Sequence, residues 1–351
     1  MRQRMLELMA GAAVIAVVSL ALTSVAGHAQ TTTARTKTRT GAAPKTAWGE
    51  PDLQGVWVNN SATPLERPAA LAGRALLTDE EVTELKARAA RIFSDSTSDF
   101  AGGDNAFLAV LANPDRYKNP NRSTGTALEM VKRDFDNRTS LVTKPSDGKI
   151  PFTQAGQGRQ AAAAAVRQRP APAGPEDLPN DLRCITFGVP RLGGNAAGYN
   201  SYHQILQTPG YVVLFGEVIH DARIIPLDGR PHLPSSLRQW HGDSRGRWEG
   251  KTLVVDTVNF SPKSYLIGAA ENLHLVERFT RVAADTITYE ITFDDSTTWT
   301  EPWTVVIRLK QSQDQMYEYA CHEGNYQTMV GMLAGTRAAE KAATEATRPP
   351  K

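Results

Sequence analysis

The chain has 351 residues, 41% of them hydrophobic, with 39 basic and 37 acidic side chains for a net charge of +2. That composition suits an ordinary soluble globular protein of one large or two small domains. It excludes the clustered basic excess of a nucleic-acid binder, and no internal repeat of solenoid period is visible.

The chain opens on Arg2 and Arg4, followed by an uncharged apolar run from Leu8 to Gly27. Gly27 and Ala29 then place small residues three and one positions before a cut ahead of Gln30. The pattern predicts a signal peptide over residues 1–29 and a mature protein in the periplasm or outside the cell, with no membrane contact after cleavage. The run is also long enough to span a bilayer, so an uncleaved anchor is the alternative. Residues 30–47, rich in Thr, Lys and Arg, have nothing to bury and read as a disordered linker.

Residues 48–345 read as a single mainly-β domain with helical insertions near its N-terminus, and 346–351 as a tail. Order is expected from the segment PDLQGVWVNN, Pro51 to Asn60. A helix follows within Leu77–Phe93. Thr78 with Glu81 makes a capping box, and Val82, Leu85, Ala89 and Ile92 recur at helical spacing. Signals are weak and polar from Ser94 to Arg138. A short strand, a Ser-Asp-Gly turn and an extended Pro segment are expected across RTSLVTKPSDGKIPFT, and a helix across residues 154–169.

Beyond Cys184 the pattern turns to antiparallel β. Pro209-Gly210 joins two strands, Asp228-Gly229 makes a second tight turn, and Gly250-Lys251 closes a hairpin. Another hairpin lies in residues 273–295, WTVVIRLK and QMYEYAC supply two more strands, and a helix ends the chain. Short local connections imply an up-and-down sheet, as a calycin- or lipocalin-like barrel, a curved sheet or a sandwich, with peripheral helices. In an oxidising compartment the two cysteines, Cys184 and Cys321, predict one disulfide tying the segment before the sheet to its last strand. Neither has the second cysteine or spaced histidine that a zinc site needs, and no metal or cofactor is predicted.

Alternation along strands sorts the charges. If the strand from Tyr211 continues unbroken to Ile224, His220 lies on the apolar face with Val212 and Leu214. Glu217, Asp221 and Arg223 then share the other face. In the later hairpin a three-residue loop at Ala283–Asp285 pairs Val282 with Thr286, Phe279 with Tyr289, Glu277 with Ile291 and Leu275 with Phe293. Glu277 is then an ionisable misfit among apolar neighbours. A buried carboxylate needs a partner or a raised pKa, and Arg281 is one candidate partner by parity. His220 and Glu277 facing one cavity would suit general acid–base catalysis, with Asp221, Arg223 and His241 in support. Equally, Glu277 can be half of a structural ion pair. His241 and Asp243, in a Gly-containing loop beside Trp240 and Trp248, read as solvated turn chemistry. His232, in a Pro-flanked segment, reads as a residue at a pocket mouth. The sequence carries no Gly-x-Ser-x-Gly, P-loop, dinucleotide or His-Glu-x-x-His motif.

The segments PDLQGVW, RTSLVTKPSDGKIP, YHQILQTPGYVVLFGEVIHDARIIPLDGRPH, RQWHGDSRGRWEGKTLVVDTVNF, ENLHLVERFTR and YEYACHEGNY resemble an uncharacterised family of secreted β-rich bacterial proteins. The resemblance spans residues 51–334 and implies export. Gly55 and Trp57 are also similar to the Gly-x-Trp opening of lipocalin-type barrels, although most strands here follow that Trp much later. Three functions are therefore open. One is an exported hydrolase, lyase or isomerase acting on a small or glycan-like substrate. Another is a non-catalytic binder of an apolar or aromatic small molecule. The third is an envelope structural protein.

Overall fold

A computed structural model describes residues 44–93, 104–115, 133–167, 172–190 and 201–347. The predicted signal peptide and most of the predicted linker lie outside the described residues. The last four linker residues are structured: Lys45 bridges Pro51, and the Thr46 amide donates to the Glu50 carbonyl at 2.9 Å.

Among the described residues ten strands form one sheet, accompanied by four α-helices. In chain order these are β1 (Gly55–Val58), α1 (Asp79–Ile92), α2 (Asn105–Ala112), β2 (Val142–Lys144), α3 (Gln154–Arg167), β3 (Tyr202–Thr208), β4 (Tyr211–Gly216), β5 (Ala222–Pro226), β6 (Asp243–Glu249), β7 (Thr252–Val258), β8 (His274–Ala283), β9 (Thr286–Asp294), β10 (Trp303–Ser312) and α4 (Cys321–Ala346). The ladder runs β5-β4-β3-β1-β10-β9-β8-β7-β6, antiparallel throughout, with β2 on β10 beside that path. It is two meanders, β3–β5 and β6–β10, joined by β1. Trp57 pairs with His203 on one side and Gln311 on the other. The Gly-x-Trp segment is thus the central seam of the sheet. Trp57 is fully buried, its indole N–H donates to the Leu53 carbonyl at 2.9 Å, and the Arg281 guanidinium lies over its ring.

Alternation places Leu275, Glu277 and Phe279 of β8, Tyr289, Ile291 and Phe293 of β9, and Val305, Ile307 and Leu309 of β10 on the buried face. A one-residue slip would expose all of them, so the apolar pattern fixes the register. The predicted β8–β9 pairs are present from His274 with Asp294 to Thr280 with Thr288. The tip differs: Ala283, not Val282, pairs with Thr286, and the extra residue leaves Val282 exposed.

No backbone pairing joins β5 to β6 among the described residues, so the ladder is open. The two edges nonetheless approach closely. A Cβ placed on Gly246 of β6 would come within 2.5 Å of Leu227 Cδ2 and 2.9 Å of Ile225 Cγ2. A side chain at Gly246 would have to push Leu227 and Ile225 aside, so glycine suits the close approach of the two edges.

The strand expected from Tyr211 to Ile224 is broken. It ends at Gly216, and a turn over Val218–His220 leads into β5, which folds back on β4. Ile219 and His220 take φ of 55° and 45° there. Such values are costly for a β-branched residue, and burial of Ile219 holds the turn in place. The turn resets the alternation. Arg223 pairs with Leu214 and Ile225 with Val212, so Arg223 points inward and His220 does not.

The capping box at Thr78 and Glu81 is formed, and α1 buries Leu85 and Ile92 in a second apolar cluster with Phe107, Val110 and Phe135. That cluster contains α2, which the sequence does not signal: NAFLAVLA is apolar on nearly every side and has no amphipathic stripe. The predicted strand QMYEYAC is absent. Residues 315–320 have no regular structure and Cys321 opens α4.

Candidate functional site

The five predicted site residues fall into two groups and one outlier. His220 is solvent-exposed on its turn and does not meet Glu277. The predicted acid–base pair is therefore not formed, because the strand carrying His220 ends before reaching it.

Glu277 is 0% exposed and Arg223 only 8% exposed. Arg223 Nη1 donates to Glu277 Oε2 at 2.5 Å and Nη2 donates to Oε1 at 2.8 Å, a bidentate pair. The Tyr289 hydroxyl also donates to Oε1. Burial, with the Glu277 charge beside it, pushes the Tyr289 phenol well above its ordinary pKa, so it stays a neutral donor. Burial disfavours the charged Arg223, but attraction to Glu277 and its hydrogen bonds together outweigh this and hold its pKa above the ordinary value. Arg281, one candidate partner by parity, instead donates to the Asp52 carbonyl at 3.0 Å and to the Ala284 carbonyl. A cavity of about 50 Å³ adjoins the pair, with His203, Asp221, Phe279 and Leu309 in its wall.

The second group is Asp221 with His241. Asp221 Oδ1 lies 3.2 Å from His241 Nε2, and Oδ2 accepts from the Thr186 hydroxyl at 2.9 Å and from the Phe187 amide at 3.0 Å. His241 Nε2 also lies 2.9 Å from Thr186 Oγ1. Thr186 and His241 thus meet the same carboxylate, and this clip hangs the Thr186–Pro190 segment from the β4–β5 turn. Thr186, Phe187, Gly188 and Val189 of that segment line a cleft of about 380 Å³. Phe187, Val189, Trp240, Phe260, Tyr265 and Leu266 give it apolar walls, and Glu176, Asn180, Asp181, Arg183, Lys263 and Ser264 add polar and charged side chains.

A third cluster escaped the reading of the sequence. His232 Nδ1 lies 2.9 Å from Asp243 Oδ2, His232 Nε2 lies 2.9 Å from Asp256 Oδ1, and His274 Nε2 lies 3.0 Å from Asp256 Oδ2. Asp243 is 4% exposed and also accepts from the Leu233 amide and Arg245. It is an anchor, not solvated turn chemistry, and His232 lines neither the cleft nor the inner cavity. The signal was the shared outward parity of Asp243, Asp256 and His274, but it needed the β6–β7–β8 register to be read.

The last pair has a testable pH signature. The hydrogen bond to Asp256 raises the His274 pKa above its ordinary value, and the same bond lowers that of Asp256. A raised histidine contributes stability below its unfolded value and loses it as pH rises through the folded one; a lowered carboxylate does the reverse on the acid side. The stability difference between the protein and its His274→Ala variant should be largest from about pH 4 to 6.5 and shrink on either side. Denaturant midpoints across pH 3–9 measure it, and a difference that grows above pH 7 has the wrong sign.

Among the described residues no group of three His, Cys, Asp or Glu side chains is placed to hold a metal ion, and no helix is long and apolar enough to cross a membrane. No protein-family model, curated protein or solved structure matches the chain.

Proposed function

We propose that the protein is an exported, non-catalytic binder of an apolar or aromatic small molecule, built on a curved, calycin-like sheet. The carrying observation is the cleft of about 380 Å³ with Trp240, Phe260 and Tyr265 in its walls. Its size lies within the range of small-molecule sites, and an apolar wall with a few polar groups is their usual chemistry. The acid–base reading loses support on its own residues. Both Glu277 oxygens are engaged by Arg223 or Tyr289, and His220 is elsewhere. Export is supported by the apolar run before Gln30 and by the Cys184–Cys321 disulfide, a bond favoured in oxidising compartments.

Titration with 2-isopropylnaphthalene, biphenyl and decan-1-ol, followed by calorimetry, tests the reading. At least one probe should bind saturably, and Trp240→Ala should weaken it about tenfold or more, since a buried aromatic contact contributes on the order of 1–3 kcal/mol. Failure of all three probes to bind, or unchanged affinity in the variant, would place ligand binding in this cleft out of reach.

A further inference from the structure

The two halves of the sheet turn different chemistry outward. On β6–β9 the outward positions are rich in charge. Arg247 and Arg278 both pair with Glu249, at 2.6 and 2.7 Å, and Glu290 lies opposite Arg278. The outward positions of β3, β4 and β5 carry no charged side chain. Leu206, Val213 and Ile224 stand side by side in one row across these three strands, and Tyr211 and Phe215 flank Val213 along β4. Ile224 is 69% exposed, Leu206 43% and Tyr211 41%. The sequence of β4, YVVLFG, is an unbroken apolar run, whereas a strand with one face in water alternates apolar with polar. Such a run is the composition of a strand covered on both faces. Val212 and Leu214 set one face of β4 on the core, and the other face is built as though it too were covered.

We propose that a second copy of this chain covers it, the two β3–β5 faces packing sheet on sheet about a two-fold axis. A two-fold contact brings the same patch of both copies together. Charges near its axis would meet like charges, so the uncharged half of the sheet is the half suited to face itself. The net charge of +2 is too small to oppose association. A lipid surface would instead be recognised through unpaired basic side chains around the patch, and Arg230, which reaches Tyr211, is already paired with Asp228. Three strands about 4.8 Å apart and about 20 Å long present roughly 300 Å² in plan, and more once side chains interdigitate. The pair then buries roughly 600–1,000 Å², the size of a weak, reversible contact and not of a permanent dimer.

Sedimentation velocity of the protein over about 1–500 µM tests this. Monomer should dominate at the low end and dimer at the high end. Ile224→Lys and Leu206→Glu should each weaken association about tenfold or more, because each puts a charge into an apolar contact. Both positions are exposed, so the circular dichroism spectrum should stay native. A milder Leu206→Gln/Ile224→Thr variant gives the same readout without a charge. Thr288→Lys, on the outward face of β9, should leave the dimer unchanged. A monomer at every concentration, a dimer that the patch variants leave intact, or one that Thr288→Lys disrupts equally would each overturn the interface. A protein that stays monomeric but sediments with phosphatidylglycerol vesicles would overturn it too and give the face to a lipid surface.

Discussion

Glu277→Gln should lower stability by about 3–5 kcal/mol, the cost of breaking a buried ion pair from one side. The amide keeps the shape of the carboxylate but has one acceptor oxygen where two are used, and its NH₂ would face an Arg223 donor. Arg223 would then be a buried cation, 8% exposed, without a counter-charge. In a domain of this size the change corresponds to a fall in Tm on the order of 10 °C. Replacing Arg223, Glu277 and Tyr289 together by apolar residues of similar volume should cost far less or even stabilise, because no charge or hydroxyl is left stranded. Thermal unfolding of both variants separates the cases. A Gln variant as stable as wild type would mean that the bidentate pair does not hold Glu277, and would reopen its use as a proton donor or acceptor.

Glu277 also shows what the sequence made legible. Its inward orientation followed from one hairpin, because matched apolar positions on both strands admit only one register. Its partner did not follow. Arg223 lies 54 residues away, on a strand whose alternation is reset by the Val218–His220 turn. Nothing in the composition of GEVIHD announces an isoleucine and a histidine at positive φ. Burial of Ile219 and closure onto β4 decide that conformation, and both are tertiary facts. The same limit hid the cleft. Its walls come from Ala163 and Val166, from residues 176–189 and from residues 240–273, and the clip at Asp221 joins side chains 35 residues apart. Local signals fared better: the Thr78–Glu81 capping box, the Pro209-Gly210 turn and the Gly250-Lys251 hairpin each depend on a few adjacent residues and all are formed. The C-terminal helix was expected, but its start was misplaced. Tyr317 and Tyr319 gave QMYEYAC a strand-like composition, but β10, the strand before it, is already flanked by β1 and β9, and residues 315–320 take no regular structure.

Loss of the disulfide should cost the protein about 2–5 kcal/mol. Cys184 and Cys321 are bonded with their Cα atoms 5.8 Å apart, closing a loop of 137 residues. Opening so long a loop returns a large conformational freedom to the unfolded chain, which on the entropic account places the effect near the upper end of that range. The bond also acts locally. It fastens the segment leading to the Thr186–Pro190 wall onto the first residue of α4, where the sequence had suggested the last strand of the sheet. Cys184 sits at φ 54°, a conformation that a non-glycine residue adopts only when its surroundings hold it. Without the bond, the wall of the cleft should loosen along with the global fold. A Cys184→Ser/Cys321→Ser variant should therefore unfold at lower denaturant concentration and bind cleft probes more weakly even at temperatures where it is fully folded. Reductant should shift the wild-type midpoint toward that of the variant and leave the variant unmoved. An unreduced digest of the native protein should contain the two cysteine peptides linked. Two freely alkylatable thiols in the native protein would contradict the bond, and a midpoint indifferent to reduction would contradict its stabilising role.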